Sequence, residues 1–222
     1  MANRFWIVFG DIHERIAAVE RIDNLGLADG VFLSGDLTNL GTRDSAGRIV
    51  SAVAAKNPRI FAQIGNMDTQ AVDRVLTEQG VNVHGRVRDL GGGVCLAAVG
   101  YSTPTPFGTP SEVDEGTICQ WAHDVLEEAG AFEQVILMIH TPPRADVVDR
   151  LPSGAHVGSP GLRALIEKYQ PAIVVTGHIH EGAGEEWIGR SHVLNPGAFA
   201  LGGYVRVEET PTGLVAALGS AA

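Results

Sequence analysis

Seven residues with the right chemistry stand where apolar segments end. WIVFGDIH closes on Asp11 and His13, VFLSGD on Asp36, FAQIGN on Asn66, VILMIH on His140, and VVTGHIH on His178 and His180. Imidazoles, carboxylates and one amide, with no cysteine, suit Mn, Fe or Zn better than a Cys-rich structural zinc site. Taken singly, most of them have an ordinary structural reading. An aspartate after glycine caps a helix or makes a turn, Asn66 suits a turn, and a histidine before Thr-Pro-Pro simply ends a strand. His178 and His180 resist that reading, because residues two apart on an extended strand share a face. All seven together, each at the end of an apolar segment, describe a metal site.

The elements that must carry them follow from hydrophobic periodicity. RFWIVFG, GVFLSG and RIFAQIG read as buried strands. Each is followed by a helical pattern: HERIAAVERIDNLG, with Ile16, Val19 and Ile22 in step, then TRDSAGRIVSAVAAK, then DTQAVDRVLTEQG. Three strand-loop-helix units in a row predict a parallel sheet with crossover helices, whose carboxyl edge is the usual place for a binding site. GRVRDLGGGVCLAAVG reads as a hairpin about Gly91–Gly93, and YSTPTPFGTPSE as a surface loop. EVDEGTICQWAHDVLEEAG predicts a helix, QVILMIH a strand, TPPRADVVDRLPSGAHVGSP a loop and GLRALIEKYQ a helix stopped before Pro171. AIVVTGHIH is again a buried strand, and EEWIGRSHVLNPGAF and YVRVEETPTGLVAAL alternate like antiparallel strands. With no repeat, linker or low-complexity tract, residues 1–222 are expected to form one domain.

A chain of 222 residues, 45% hydrophobic and 19% charged, is long enough for one substantial core. No stretch approaches the ~20 apolar residues of a membrane span. MANRFWIVFG meets Asp11 and His13 too soon for a signal peptide and reads as a core strand. With Cys95 and Cys119 as the sole cysteines, a cytoplasmic setting is expected. The net charge of -10 excludes an extended nucleic-acid-binding surface. A small phosphoester substrate stays open, since bound cations can supply the missing positive charge. No membrane partner is indicated, and the oligomeric state is left open.

GDIH, SGD, GNMD, MIH and GHIH, in that order from Gly10 to His180, resemble the block pattern of the calcineurin-like metallophosphoesterase family: D-x-H, G-D, G-N-H-D/E, a lone His, then G-H-x-H. The resemblance implies an α/β fold, a four-layer α/β/β/α sandwich of two mixed β-sheets flanked by helices. It implies two metal ions (Mn, Fe or Zn). Asp11, His13, Asp36 and His180 would hold one, and Asp36, Asn66, His140 and His178 the other, with Asp36 bridging. Asp36, Asn66 and His140 would position substrate and a metal-bridging hydroxide for attack on phosphorus. LNPGAF, with Asn195, resembles a structural turn of the family and is given no catalytic role.

Met67 departs from the pattern, which has histidine there. That histidine acts near the leaving oxygen as acid or charge stabiliser in members that keep it, and a thioether has no proton to give. The chain thus resembles the subgroup lacking the histidine of the GNH[DE] block, similar to known phosphodiesterases. Hydrolysis of phosphodiesters is therefore expected, with a phosphomonoesterase acting on a nucleotide or other small phosphate, or a non-catalytic scaffold, as the alternatives. His156 in SGAHVGSP, or less readily His84, is a spare imidazole, or each is an ordinary structural residue. Arg144 is a candidate phosphate clamp or a plain surface arginine. Tyr101 and Phe107 would stack on substrate or merely pin their Pro-rich loop. Asp68 is expected to cap the helix beginning at Thr69.

Overall fold

The computed structural model describes residues 3–222. Its eleven strands make two sheets. The first has the order β11-β10-β1-β2-β3, with β1 (Phe5–Phe9), β2 (Gly30–Leu33), β3 (Ile60–Ala62), β10 (Gly203–Thr210) and β11 (Gly213–Ser220). β1, β2 and β3 are mutually parallel, and β10 runs antiparallel to β1. The second has the order β4-β5-β6-β7-β9-β8, with β4 (Arg86–Gly91), β5 (Val94–Val99), β6 (Gln134–Ile139), β7 (Ile173–Val175), β8 (Gly184–Ile188) and β9 (Ser191–Asn195). β5, β6, β7 and β9 are parallel, and antiparallel hairpins close both edges.

Three apolar cores separate four layers. Trp6, Val8 and Phe32 from one sheet meet Leu96, Ile136, Met138 and Val175 from the other. Phe9, Leu33 and Ile64 face α1 (Arg43–Ala54) and α2 (Gln70–Glu78), through residues such as Ile49, Val53 and Leu76. Val99, Leu137 and Val174 face α3 (Glu115–Ala129) and α4 (Pro160–Tyr169), through Ile118, Leu126 and Ile166. This is the expected α/β/β/α sandwich. Strands buried on both faces explain why RFWIVFG and QVILMIH read as continuous apolar runs rather than alternating ones. Each fully buried Phe or Leu stabilises the fold by about 1.5–3 kcal/mol.

Most helices sit where their sequence signals put them. Thr42 and Ser45 form a reciprocal capping box for α1, and Ser159 caps α4 ahead of Pro160. The first helical pattern is an exception. HERIAAVERIDNLG forms only 3-10 turns over Ile16–Arg21 and Leu25–Leu27. Arg15 gives no side-chain cap, and Asn24 is left-handed (φ 59°), so the chain turns before an α-helix can propagate. β7 ends at Val175, so GHIH lies beyond the strand. Among the described residues, no helix is long and apolar enough to cross a membrane.

Candidate metal centre

β1, β2 and β3 of one sheet and β6 and β7 of the other all point their carboxyl ends at one edge, where all seven predicted donors collect. The loops that bring them there are strained. Asp11 (φ 51°), His13 (47°), Asp36 (49°) and His178 (68°) have left-handed backbones, each costing roughly 1 kcal/mol or more. Backbone pairing holds two of these loops together: Asp11 N–H donates to Gly35 O at 3.0 Å, and His13 N–H to Asp36 O at 3.1 Å. Gly35 itself has φ 109°, and a Cβ there would lie 2.7 Å from His140 Nδ1.

The donors form two overlapping groups. His180 Nε2 lies 3.2 Å from Asp11 Oδ1 and 3.3 Å from His13 Nε2. On the other side, Asn66 Oδ1 lies 3.1 Å from His140 Nε2 and 2.7 Å from His178 Nδ1. Asp36 stands between them, with Oδ2 3.9 Å from His13 Nε2 and Oδ1 3.5 Å from His140 Nε2. Donor atoms of Asp11, His13 and His180 all lie within 4.8 Å of one another, as do those of Asp11, Asp36 and His140.

His178 and His180 serve opposite groups rather than one face. The left-handed turn at His178, beyond the end of β7, sends the two imidazoles apart, so the shared-face argument for an extended strand does not apply here.

Burial and charge tune these groups strongly. Burial opposes charge on His140, but Asp36 and Asp11 outweigh it and push its pKa up to about 9. Its Nδ1 bonds Ser34 O at 3.0 Å, and since a carbonyl only accepts, Nδ1 keeps its proton and Nε2 is the atom offered to a metal. His178 is pushed down to about 4 by burial and by the neighbouring His140 charge. Burial would raise Asp11, yet the hydrogen bond from His180 and the charges of His140, His180 and His13 bring it below the ordinary carboxylate value. Buried carboxylates among inward-facing imidazoles fit a divalent cation well.

Around this centre sit residues that sequence reasoning gave smaller roles. Asp68 does not cap α2, whose N-cap is Thr69. It is fully buried, and it accepts from Leu37 N–H (3.0 Å), Gly65 N–H (3.1 Å), Thr38 N–H (2.8 Å) and the Thr38 hydroxyl (2.7 Å). It thereby ties the Asp36 loop to the Asn66 loop, and burial together with Asp36 pushes its pKa up to about 7. Asn195 donates to Ile179 O at 2.8 Å and Val148 O at 3.1 Å, joining the GHIH loop to the loop after His140. Phe199 N–H reaches Gly10 O at 3.0 Å, so LNPGAF also braces the Asp11 loop. The one sequence signal for Asp68 was its place as the last letter of GNMD.

The chain has eight histidines, and the four outside the cluster are engaged elsewhere. His156 Nδ1 pairs with buried Asp149 at 2.9 Å, and none of its hydrogen bonds reaches the seven. His84 Nδ1 accepts from Gly100 N–H at 3.1 Å, with its ring between Tyr101 and Trp121. His123 lies beside Asp124, and His192 stacks on Trp187. Arg144 is exposed, and its guanidinium makes no hydrogen bond or ion pair among the described residues. Tyr101 accepts from Gln70 at 3.0 Å, and Phe107 is 86% exposed.

Residues 119–213, which include His140, His178, His180 and Asn195, match the family model described as metallophosphoesterase, calcineurin superfamily. Superposition on solved structures covers the whole chain and shows a likeness of fold. Its fold is that of the calcineurin-like metallophosphoesterases. TT1561 of Thermus thermophilus superposes with a TM-score of 0.76 at 18% identity, covering 100% of both chains. A dimetal phosphatase from Danio rerio gives 0.62 at 11% identity, covering 99% of both. GAP50, the anchor in the inner membrane complex of Plasmodium, gives 0.69 at 11%, covering 100% of this chain and 85% of that one. No curated protein sequence matches the chain. The calcineurin-like resemblance carried by the five sequence blocks therefore holds.

Proposed function

We propose that residues 1–222 act as one dinuclear metal-dependent phosphoesterase that favours diesters. Asp11, His13, Asp36 and His180 hold one divalent ion, and Asp36, Asn66, His140 and His178 the second. The observation that carries this reading is the position of Asp36, with one carboxylate oxygen toward His13 and the other toward His140. Mn, Fe and Zn all suit this donor set. Bound there, the ions would supply Lewis acidity toward the phosphoryl oxygens and a nucleophile generated from water.

The chain's own residues do the rest. Ser34 O holds His140 in the tautomer that presents Nε2. Met67 leaves the site without a proton donor at the family's histidine position. A diester with a good leaving group needs little protonation, so it is the substrate class favoured. Arg144, exposed and unpaired among the described residues, can meet a phosphate oxygen, and Phe107 is free to stack on an aromatic group of the substrate. His156 stays a spare imidazole held at Nδ1 by Asp149. The unpaired thiols of Cys95 and Cys119 agree with a cytoplasmic setting.

The test is reconstitution with Mn and assay on an aryl phosphodiester. Two Mn per chain are expected, with Asp36→Ala or His140→Ala lowering kcat about 10³-fold or more. Unchanged hydrolysis in either variant overturns the site. A wild-type chain holding less than one Mn favours the scaffold alternative.

A further inference from the structure

The Pro-rich loop 101–113, between β5 and α3, is bound to the GNMD turn. Ser111 N–H donates to Asn66 O at 3.1 Å, and the Ser111 hydroxyl to Asp68 O at 2.6 Å. A third link is a side-chain chain with a direction. Asn66 Nδ2 lies 2.9 Å from Thr109 Oγ1, and Thr109 Oγ1 lies 2.5 Å from Glu112 Oε1. The same Glu112 oxygen also accepts from Thr109 N–H at 2.7 Å and from the Thr105 hydroxyl at 2.6 Å.

The direction follows from what each group can do. An ionised carboxylate only accepts, so the Thr109 hydroxyl must give its single proton to Glu112. Oxygen Oγ1 then has only lone pairs left for Asn66. Only the NH₂ end of the Asn66 amide can meet it. The amide oxygen is thereby turned the other way, toward His140 Nε2 and His178 Nδ1. Without the carboxylate, a Thr hydroxyl could also donate to a flipped amide, and only the histidine side would oppose an NH₂ group facing the metals. Burial opposes ionisation of Glu112, but the two threonines outweigh it and hold its pKa down to about 2, so the carboxylate persists at working pH.

We propose that Thr109 and Glu112 are positioning residues that set the orientation of the Asn66 amide, and so make Asn66 a ligand of the second metal. This rests on the two-metal reading of the site. The loop after β5 is then part of the metal site's support rather than a mobile cover.

The test combines Mn titration by calorimetry with NMR of the Asn66 side-chain amide in metal-free protein, its resonance assigned through Asn66→Asp. Thr109→Val and Glu112→Gln should weaken the second Mn about 10–100-fold and leave the first within about twofold. Both should also shift the Asn66 NH₂ resonances, while Thr109→Ser, which keeps the hydroxyl, behaves as wild type. Thr109→Val with both Mn affinities intact, equal weakening of both sites, or failure of Thr109→Ser to rescue would overturn the proposal. A wild-type chain binding one Mn or none overturns the two-metal reading instead. In that case the NMR arm still decides the orientation: resonances unmoved in both Thr109→Val and Glu112→Gln refute it.

Discussion

The backbone N–H of Met67 donates to Asp36 Oδ1 at 2.8 Å. The residue that departs from the family pattern thus still serves the site through its main chain, and only its side chain has lost the chemistry. Met67→His should keep this bond and add an imidazole beside the candidate metals. The ratio of phosphomonoesterase to phosphodiesterase activity should rise about tenfold or more, because a poor leaving group gains most from a proton donor. Parallel assays on aryl monoesters and diesters check it, and an unmoved ratio would mean that another group already serves as the acid.

Asp68 closes four hydrogen bonds with no exposure to water. In Asp68→Asn the amide NH₂ would face donors instead of accepting from them. A loss of about 2–4 kcal/mol is expected from the buried donors left unpaired. The urea midpoint of the metal-free protein measures this, and a midpoint equal to wild type would refute the clamp.

Gly35 and Gly47 make a contrasting pair. A methyl at Gly35 would meet His140 Nδ1 at 2.7 Å and Gly65 N at 2.8 Å, on a backbone with φ 109°. Gly47 lies within α1 with nothing within 4 Å. Gly35→Ala should cost more than about 2 kcal/mol and impair Mn binding, while Gly47→Ala should stabilise by about 0.5–1 kcal/mol. Thermal denaturation of both variants separates a general intolerance of substitution from the local packing argued here.

His84 carries a pH dependence of its own. Burial lowers its pKa below the ordinary 6.5. The unfolded chain therefore binds this proton more readily than the folded one. Its contribution to stability is complete above pH 6.5 and is lost as pH falls through and below that value. His84→Gln, a neutral residue at that position, should flatten this part of the profile. Unfolding curves of wild type and variant between pH 7.5 and 5 should converge on acidification; parallel profiles would exclude the role.

Much of the fold was legible because it is written locally. RFWIVFG, GVFLSG and QVILMIH are buried on both faces, and such strands show as unbroken apolar runs. The candidate donors were legible for a related reason: each follows the last apolar residue of its strand. The segment after His13 misled, because Ile16, Val19 and Ile22 keep helical spacing even in 3-10 turns, and periodicity does not register the left-handed Asn24 that breaks them.

The sequence by itself determined the donor types, the element that precedes each donor and the missing imidazole at Met67, and the family resemblance of its blocks implied the sandwich class. Only the tertiary structure decided who meets whom. It set the distances from His178 to Asn66 and from His180 to Asp11 that the resemblance could only imply, made Asp68 a clamp rather than a helix cap, and tied Asn66 to Thr109 across 43 residues of chain. Hydrophobic patterning acts over a few residues and places a strand and its end. The direction of a side chain at that end depends on left-handed turns and hydrogen bonds between loops of different strands, and these exist only once the two sheets have packed.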